Sequence, residues 1–249
     1  MTAALPDVPE ITADQLRAEL EQGRPLAVVD VRRAADWSEW SVPGSVNTGG
    51  IAGVASYTPA PGARVITVCG MGNSSRRAAH ELIARGVNAV SLKGGMSGWS
   101  LAWNVAEVTG LGGKAQVVQV RRTGKGCLSY LVVSAGQAAV IDPSVDPEVY
   151  VGLAKARAAR IVAVFDTHVH ADHLSRGRTL ATATGAQLYM PEQNRVRFVV
   201  RTLDDGGQVE VGDATITAMR TPGHTFESTC YGLDDTAVMT GDTLFLDSV

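Results

Sequence analysis

The chain has 249 residues, of which 45% are hydrophobic and 19% charged, with a formal net charge of −3. This is globular composition, long enough for two domains, and it excludes a disordered chain. The near-balanced charge argues against a nucleic-acid surface, no apolar run approaches a membrane span, and the first residues lack the pattern of a secretion signal.

Thr12 is placed to cap a helix over 13–21, with Gln15 as its capping-box partner and Gly23 as the stop. Leu26-Ala27-Val28-Val29 predicts a short buried strand ending at Asp30, and Val65-Ile66-Thr67-Val68 a second one ending at Cys69. A glycine-containing turn and a helix over 75–85 follow, then a strand over 89–92 that leads into Lys93-Gly94-Gly95. Strands alternating with helices imply an α/β fold with a doubly wound parallel sheet and reactive loops at the carboxyl ends of its strands. Gly110, Gly112 and Gly113 mark a shift in composition. The domain boundary is expected there, giving a first domain over 8–105, a linker over 106–114 and a second domain over 115–249.

The second domain opens with strands over 116–121, 128–133 and 138–141, closed by Asp142-Pro143. A helix over 147–159 and a strand over 161–165 come next, then a helix over 178–184 and a short strand over 187–190. The remainder is a β-rich tail with turns at Asp205-Gly206-Gly207 and Gly212-Asp213. No repeat of fixed period occurs. Cys69, Cys127 and Cys230 are widely spaced and odd in number, which disfavours a disulfide framework and suits a reducing cytoplasm. Cys127 and Cys230 read as buried thiols within strands.

Two stretches carry chemistry. In the first, Cys69-Gly70-Met71-Gly72-Asn73-Ser74-Ser75 links a strand to a helix. Such a loop can turn successive N–H groups inward, and the helix N-terminus adds partial positive charge, so a cysteine at its base is favoured as thiolate. The alternative is an inert cysteine buried at a strand end. In the second, Thr167-His168-Val169-His170-Ala171-Asp172-His173 follows the strand over 161–165 directly. Alternation sends His168 and His170 to one side, and a turn can return Asp172 and His173, so that four metal-competent side chains cluster. Downstream, His224 in Thr221-Pro222-Gly223-His224-Thr225 and Asp242 in Thr240-Gly241-Asp242-Thr243 stand at loop starts and are further candidates.

Residues 8–105 resemble the rhodanese family, through Val28-Val29-Asp30-Val31-Arg32, Val42-Pro43-Gly44-Ser45-Val46-Asn47, the Cys69 loop and Leu92-Lys93-Gly94-Gly95 leading to Trp99. The resemblance implies that Cys69 carries sulfane sulfur as a persulfide and that Gly70, Met71, Gly72, Asn73 and Ser74 form its cradle. Asp30 and Arg32 are then supports of the loop. A related phosphatase fold has Arg six positions after the cysteine, where this chain has Ser75, which argues against phosphatase chemistry.

From about residue 115 the ordered set His-x-His-x-Asp-His, Gly-His and Gly-Asp resembles the metallo-β-lactamase fold, an αββα sandwich, here partial. The resemblance implies one metal position at His168, His170 and His224, a second at Asp172 and His173, and Asp242 between them. In the glyoxalase II group these hold zinc for thioester hydrolysis. In the persulfide dioxygenases of the same fold, one Fe(2+) is held by the counterparts of His168, His224 and Asp242, leaving His170, Asp172 and His173 as second-site or supporting residues. Two features lean toward the dioxygenase: the sulfur-transfer domain in front, and Glu227, where glyoxalase II sequences generally have Gly.

The chain stops at Asp247-Ser248-Val249, before any counterpart of the family's last metal-site histidine and closing helices. A fragment of a longer protein is therefore expected, with an exposed sheet edge, an incomplete two-metal site and a complete iron triad. The small molecules implied are a thiol persulfide, thiosulfate and dioxygen, with Fe(2+) as cofactor or, for a hydrolase, one or two Zn(2+) ions. Self-association into a homo-oligomer stays open. A non-catalytic sulfur carrier or binding module is the remaining alternative.

Overall fold

The computed structural model describes residues 7–111, 113–171 and 173–244; Asp172 of the histidine cluster, Gly112 of the boundary and the terminal 245–249 lie outside them. The chain divides into two units. One comprises the residues up to Trp103 together with Thr123–Lys125, the other Asn104–Arg122 together with the residues from Gly126 onward.

The first unit runs β1 (Glu10–Ile11), α1 (Ala13–Glu21), β2 (Leu26–Asp30), α2 (Ala34–Glu39), β3 (Val46–Asn47), β4 (Arg64–Val68), α3 (Asn73–Ala84), β5 (Ala89–Leu92) and α4 (Gly95–Trp99). Its sheet has the order β1-β5-β4-β2-β3, every pair parallel. Alternation along the strands supplies two cores. Val28, Ile66 and Val90 face Leu16 of α1 and Trp99 of α4. Val29, Val65 and Ala89 face Ala78, Ala79 and Leu82 of α3. The α1 cap is a full capping box: Thr12 Oγ1 accepts from the Gln15 amide at 3.2 Å, and Gln15 Oε1 accepts from the Thr12 amide at 2.9 Å. The short α2 buries no residue, and so left no apolar stripe in the sequence to read.

The second unit runs β6 (Asn104–Val108), β7 (Gln116–Arg122), β8 (Cys127–Ser134), β9 (Gln137–Ile141), α5 (Pro147–Ala156), β10 (Arg160–Phe165), α6 (Gly177–Thr184), β11 (Gln187–Met190) and β12 (Arg201–Thr202). It ends with β13 (Gln208–Val211), β14 (Ala214–Arg220), β15 (Thr229–Leu233) and β16 (Ala237–Met239). A mixed sheet has the order β12-β11-β10-β9-β8-β7-β6, and a four-stranded antiparallel sheet the order β13-β14-β15-β16. A shared core joins them, with Val132, Ile141 and Phe165 from the first sheet against Ile216, Tyr231 and Leu233 from the second. No residue of α5 or α6 belongs to that core; both helices pack on β10 from its other face.

The expected linker begins inside β6, which pairs with β7 along its whole length. β6 has no buried residue, so nothing in its hydrophobic pattern announced a strand. At the outer strand β16, Val238 is 52% exposed. No described helix is long and apolar enough to cross a membrane.

Candidate metal centre and the Cys69 loop

Cys69 is the first residue past β4, at the carboxyl end of the parallel sheet. Its Sγ is buried and accepts from the Gly72 amide at 3.1 Å, one residue before α3 begins. The loop is clamped from α4: Met96 N donates to Cys69 O at 2.7 Å and Ser97 N to Gly70 O at 3.0 Å. That approach requires glycine at position 95, where φ is +55° and a Cβ would lie 2.1 Å from Cys69 O. Around the rest of the expected cradle, Gly70, Met71 and Asn73 are exposed and Ser74 half-buried. Ser75, read from sequence only as a residue that is not Arg, is fully buried behind the sulfur. Its Oγ lies 3.3 Å from Cys69 Sγ and 2.9 Å from Ser91 Oγ. Asp30 is buried and holds the Arg32 guanidinium through both oxygens, and Arg32 reaches Trp40 O at 2.6 Å. Cys230 is buried, whereas Cys127, the first residue of β8, is only partly so.

In the second unit, Ile141 of β9 lies beside Phe165 of β10 in parallel register. The residues that follow both strands therefore emerge together, which puts Asp142 next to the segment Asp166–His170. His168 is 2% exposed, and its Nε2 lies 3.7 Å from Asp242 Oδ2. The same carboxylate oxygen is 3.5 Å from His224 Nε2. Ligand atoms of His168, His224 and Asp242 all fall within 4.8 Å of one another.

Three contacts bring these distant residues together. Thr229 N, at the start of β15, donates to Thr167 O at 3.0 Å. The His224 loop is closed by Thr221 N donating to Ser228 O at 2.8 Å. Gly241, with φ +49°, sits so close to Thr167 that a Cβ would lie 2.3 Å from Thr167 Oγ1, which lets Asp242 approach His168.

The hydrogen bonds around Thr167 fix the state of His168. Thr167 Oγ1 donates its one proton to Asp142 Oδ2 at 2.9 Å and lies 3.0 Å from His168 Nδ1. The hydroxyl can then only accept, so the imidazole proton belongs on Nδ1 and Nε2 presents a bare lone pair toward Asp242 and His224. Burial, with the neighbouring His170 second, lowers the His168 pKa, which keeps the ring neutral.

His170 lies beside His168, ring centroids 4.2 Å apart, but turns its Nε2 another way. Its Nε2 is 3.1 Å from Asp142 Oδ1 and 3.8 Å from Asp166 Oδ1, in a buried group of its own. Burial, and then the charge of Asp142, push Asp166 up to about 7, while Ser175 Oγ donates to it at 2.9 Å. The His173 ring stacks at a tilt on His170, centroids 4.4 Å apart. Of the sequence candidates, then, His168, His224 and Asp242 come together and His170 and His173 form a neighbouring pair. Asp142, Asp166 and Thr167 were not anticipated as part of the site. The available signal was an aspartate at the end of each of two adjacent strands.

A sequence model of the Rhodanese-like domain matches residues 12–102, and one of the Metallo-beta-lactamase superfamily matches residues 122–249. The chain belongs to the metallo-beta-lactamase superfamily. It carries a rhodanese-like domain ahead of the metallo-beta-lactamase domain. Hydroxyacylglutathione hydrolase from Anaeromyxobacter dehalogenans is 35% identical over 127 residues, covering 50% of this chain and 49% of that protein. The chain spans about half the length of the curated relatives it matches. A metallo-beta-lactamase from Staphylococcus aureus shares the fold at 24% identity and TM-score 0.50, over 54% of this chain and 43% of that one. ETHE1 from Myxococcus xanthus matches at 30% identity and TM-score 0.48, over 51% and 57%.

For a metallo-beta-lactamase domain the donor set fits a metal ion. Two imidazoles and one carboxylate converge, at least one ring is neutral with its free nitrogen aimed at the others, and the set suits zinc or iron alike.

Proposed function

We propose that the metallo-beta-lactamase domain holds one metal ion through His168, His224 and Asp242 and acts on the sulfur end of a small thiol-derived substrate. The reaction in this reading is oxidation of a thiol persulfide: persulfide, dioxygen and water give the free thiol and sulfite. The observation that carries this reading is that His168, His224 and Asp242 bring ligand atoms within 4.8 Å of one another, while the neighbouring His170 turns its Nε2 to Asp142 and Asp166. Two histidines and one carboxylate make the facial set of non-haem iron oxygenases; bound there, iron(II) would supply open cis positions for substrate and dioxygen. The protein's own contribution is to keep Nε2 of His168 unprotonated through Thr167 and Asp142. In the rhodanese-like domain, Cys69 is the proposed sulfur carrier, with the Gly72 amide and the Ser75 hydroxyl beside its sulfur and thiosulfate or a persulfide as donor.

A second reading, metal-dependent hydrolysis of a glutathione thioester, is supported by the relatives named hydroxyacylglutathione hydrolase, and on sequence relatedness alone it is the better supported. Its metal would be zinc.

Protein reconstituted separately with Fe(II) under anaerobic conditions and with Zn(II) separates the two readings. Oxygen uptake and sulfite release from glutathione persulfide by the iron form alone are expected. Turnover of an S-hydroxyacylglutathione by the zinc form, with no oxygen uptake by either, would favour the hydrolase.

A further inference from the structure

The strand β15 lies between the two strands that lead to the downstream ligands. On one side β14 ends at Arg220 and runs out to His224; on the other β16 ends at Met239 and runs out to Asp242. In antiparallel register Cys230 of β15 lies opposite Met219, and Tyr231 opposite Met239, so Cys230 stands beside the exits of both neighbours. A side chain at this position can touch both ligand loops, and this one does. Cys230 Sγ donates to Thr240 O at 3.6 Å, in the turn that carries Asp242, and lies 3.2 Å from Thr221 Oγ1, where the His224 loop starts. Thr221 Oγ1 is in turn 3.1 Å from Thr243 Oγ1, next to Asp242.

Counting protons fixes the direction of these bonds. A carbonyl oxygen only accepts, so the thiol proton goes to Thr240 O and Sγ is left to accept from Thr221. The one proton of Thr221 is then spent, and Thr243 must donate to it. The chain runs from Thr243 through Thr221 and Cys230 to Thr240 O: it begins and ends on the Asp242 turn and passes through the first residue of the His224 loop. The ligands that need such a tie are these two. His168 is buried and oriented by Thr167, whereas the side chains of His224 and Asp242 are 44% and 35% exposed and ride on separate turns. We propose that Cys230 is a positioning residue of the metal centre: its thiol, with Thr221 and Thr243, holds the His224 loop and the Asp242 turn at one spacing, so that both ligands close on an ion held at His168. The thiol serves here as a fixed donor and acceptor, not as a nucleophile. The proposal rests on the reading of His168, His224 and Asp242 as the ligand set, but not on which metal or reaction follows.

Metal binding tests it without turnover. The probe is Co(II), titrated against a chromophoric chelator, with the visible absorption of the bound ion recorded because it responds to ligand geometry. Valine keeps the bulk of either side chain and removes its hydrogen bonds; serine at position 221 keeps the hydroxyl. Thr221→Val and Cys230→Val should each bind Co(II) roughly ten- to a hundredfold more weakly than wild type, the range for groups behind metal ligands, and with a shifted absorption band. Thr221→Ser should match wild type. Because the side chains act as one device, the double variant Thr221→Val/Cys230→Val should lose little more than the weaker-binding single variant. Circular dichroism of the metal-free proteins checks the fold; should Cys230→Val not fold, the comparison of Thr221→Val with Thr221→Ser decides alone. Thr221→Val equal to wild type in affinity and spectrum, or Thr221→Ser as weak as Thr221→Val, would overturn the proposal and leave the ligand set standing. Wild type that binds no Co(II), or a His224→Ala protein that binds it as wild type does, would overturn the ligand set and this proposal with it.

Discussion

At the scale of single residues, the hydroxyl of Thr167 decides how the metal centre is presented. By giving its proton to Asp142 it leaves the His168 proton on Nδ1 and the ligand nitrogen bare. Groups behind metal ligands commonly carry roughly ten- to a hundredfold in metal affinity. Thr167→Val, which keeps the shape and removes the hydroxyl, should lose affinity by that factor in a chelator competition, and Thr167→Ser should retain it. Equal affinities for Val and wild type would mean that the hydroxyl does not set the ring. In the rhodanese-like domain the corresponding residue is Cys69, whose Sγ has the Gly72 amide and the Ser75 hydroxyl within reach. Cys69→Ser should abolish sulfur transfer from thiosulfate to cyanide; a variant as active as wild type would leave this domain a binding module.

At the scale of elements, the centre exists because β9 and β10 are parallel neighbours that end in register, delivering Asp142 beside Asp166. Asp166 has a consequence for pH. In the folded, metal-free chain it keeps its proton up to about 7, whereas its ordinary carboxylate value is 3.8. The folded state therefore holds a proton that the unfolded chain releases. The contribution of this group to stability is complete below about pH 4 and is lost as pH rises through 7. In urea unfolding of metal-free protein, Asp166→Asn should flatten the decline between pH 5 and pH 8, by at most on the order of a few kcal/mol. Parallel pH profiles for the two proteins would contradict this.

The same elements show what the sequence could and could not disclose. The strands over Leu26–Asp30, Ala89–Leu92 and Gln187–Met190 have buried faces and caps or turns at their ends, so their hydrophobic runs were readable. The edge strand β6 and the helix α2 bury nothing and were silent. Within the site, metal-competent residues are visible by type, but their grouping depends on which strand ends lie side by side. Spacing alone put His170 beside His168, where its ring lies, while the pairing of β9 with β10 brings up Asp142, to which its Nε2 is turned.

At the scale of the whole molecule, a rhodanese-like domain and a metallo-beta-lactamase domain occur on one chain, each with its candidate chemistry at the carboxyl ends of parallel strands. A metal that binds only the folded form adds stability by mass action, about 2.7 kcal/mol at a hundredfold excess over its dissociation constant. Chelation should therefore lower the thermal midpoint of the wild type and leave that of His168→Ala unmoved; equal shifts would place the metal elsewhere.

The central claim is that one ion is held by His168, His224 and Asp242 without His170. Metal content per chain, measured after reconstitution and desalting, tests this most directly. One ion is expected for wild type and for His170→Gln, and none for His168→Ala, His224→Ala or Asp242→Asn. Two ions in wild type, or loss of the ion in His170→Gln with the fold intact, would contradict it.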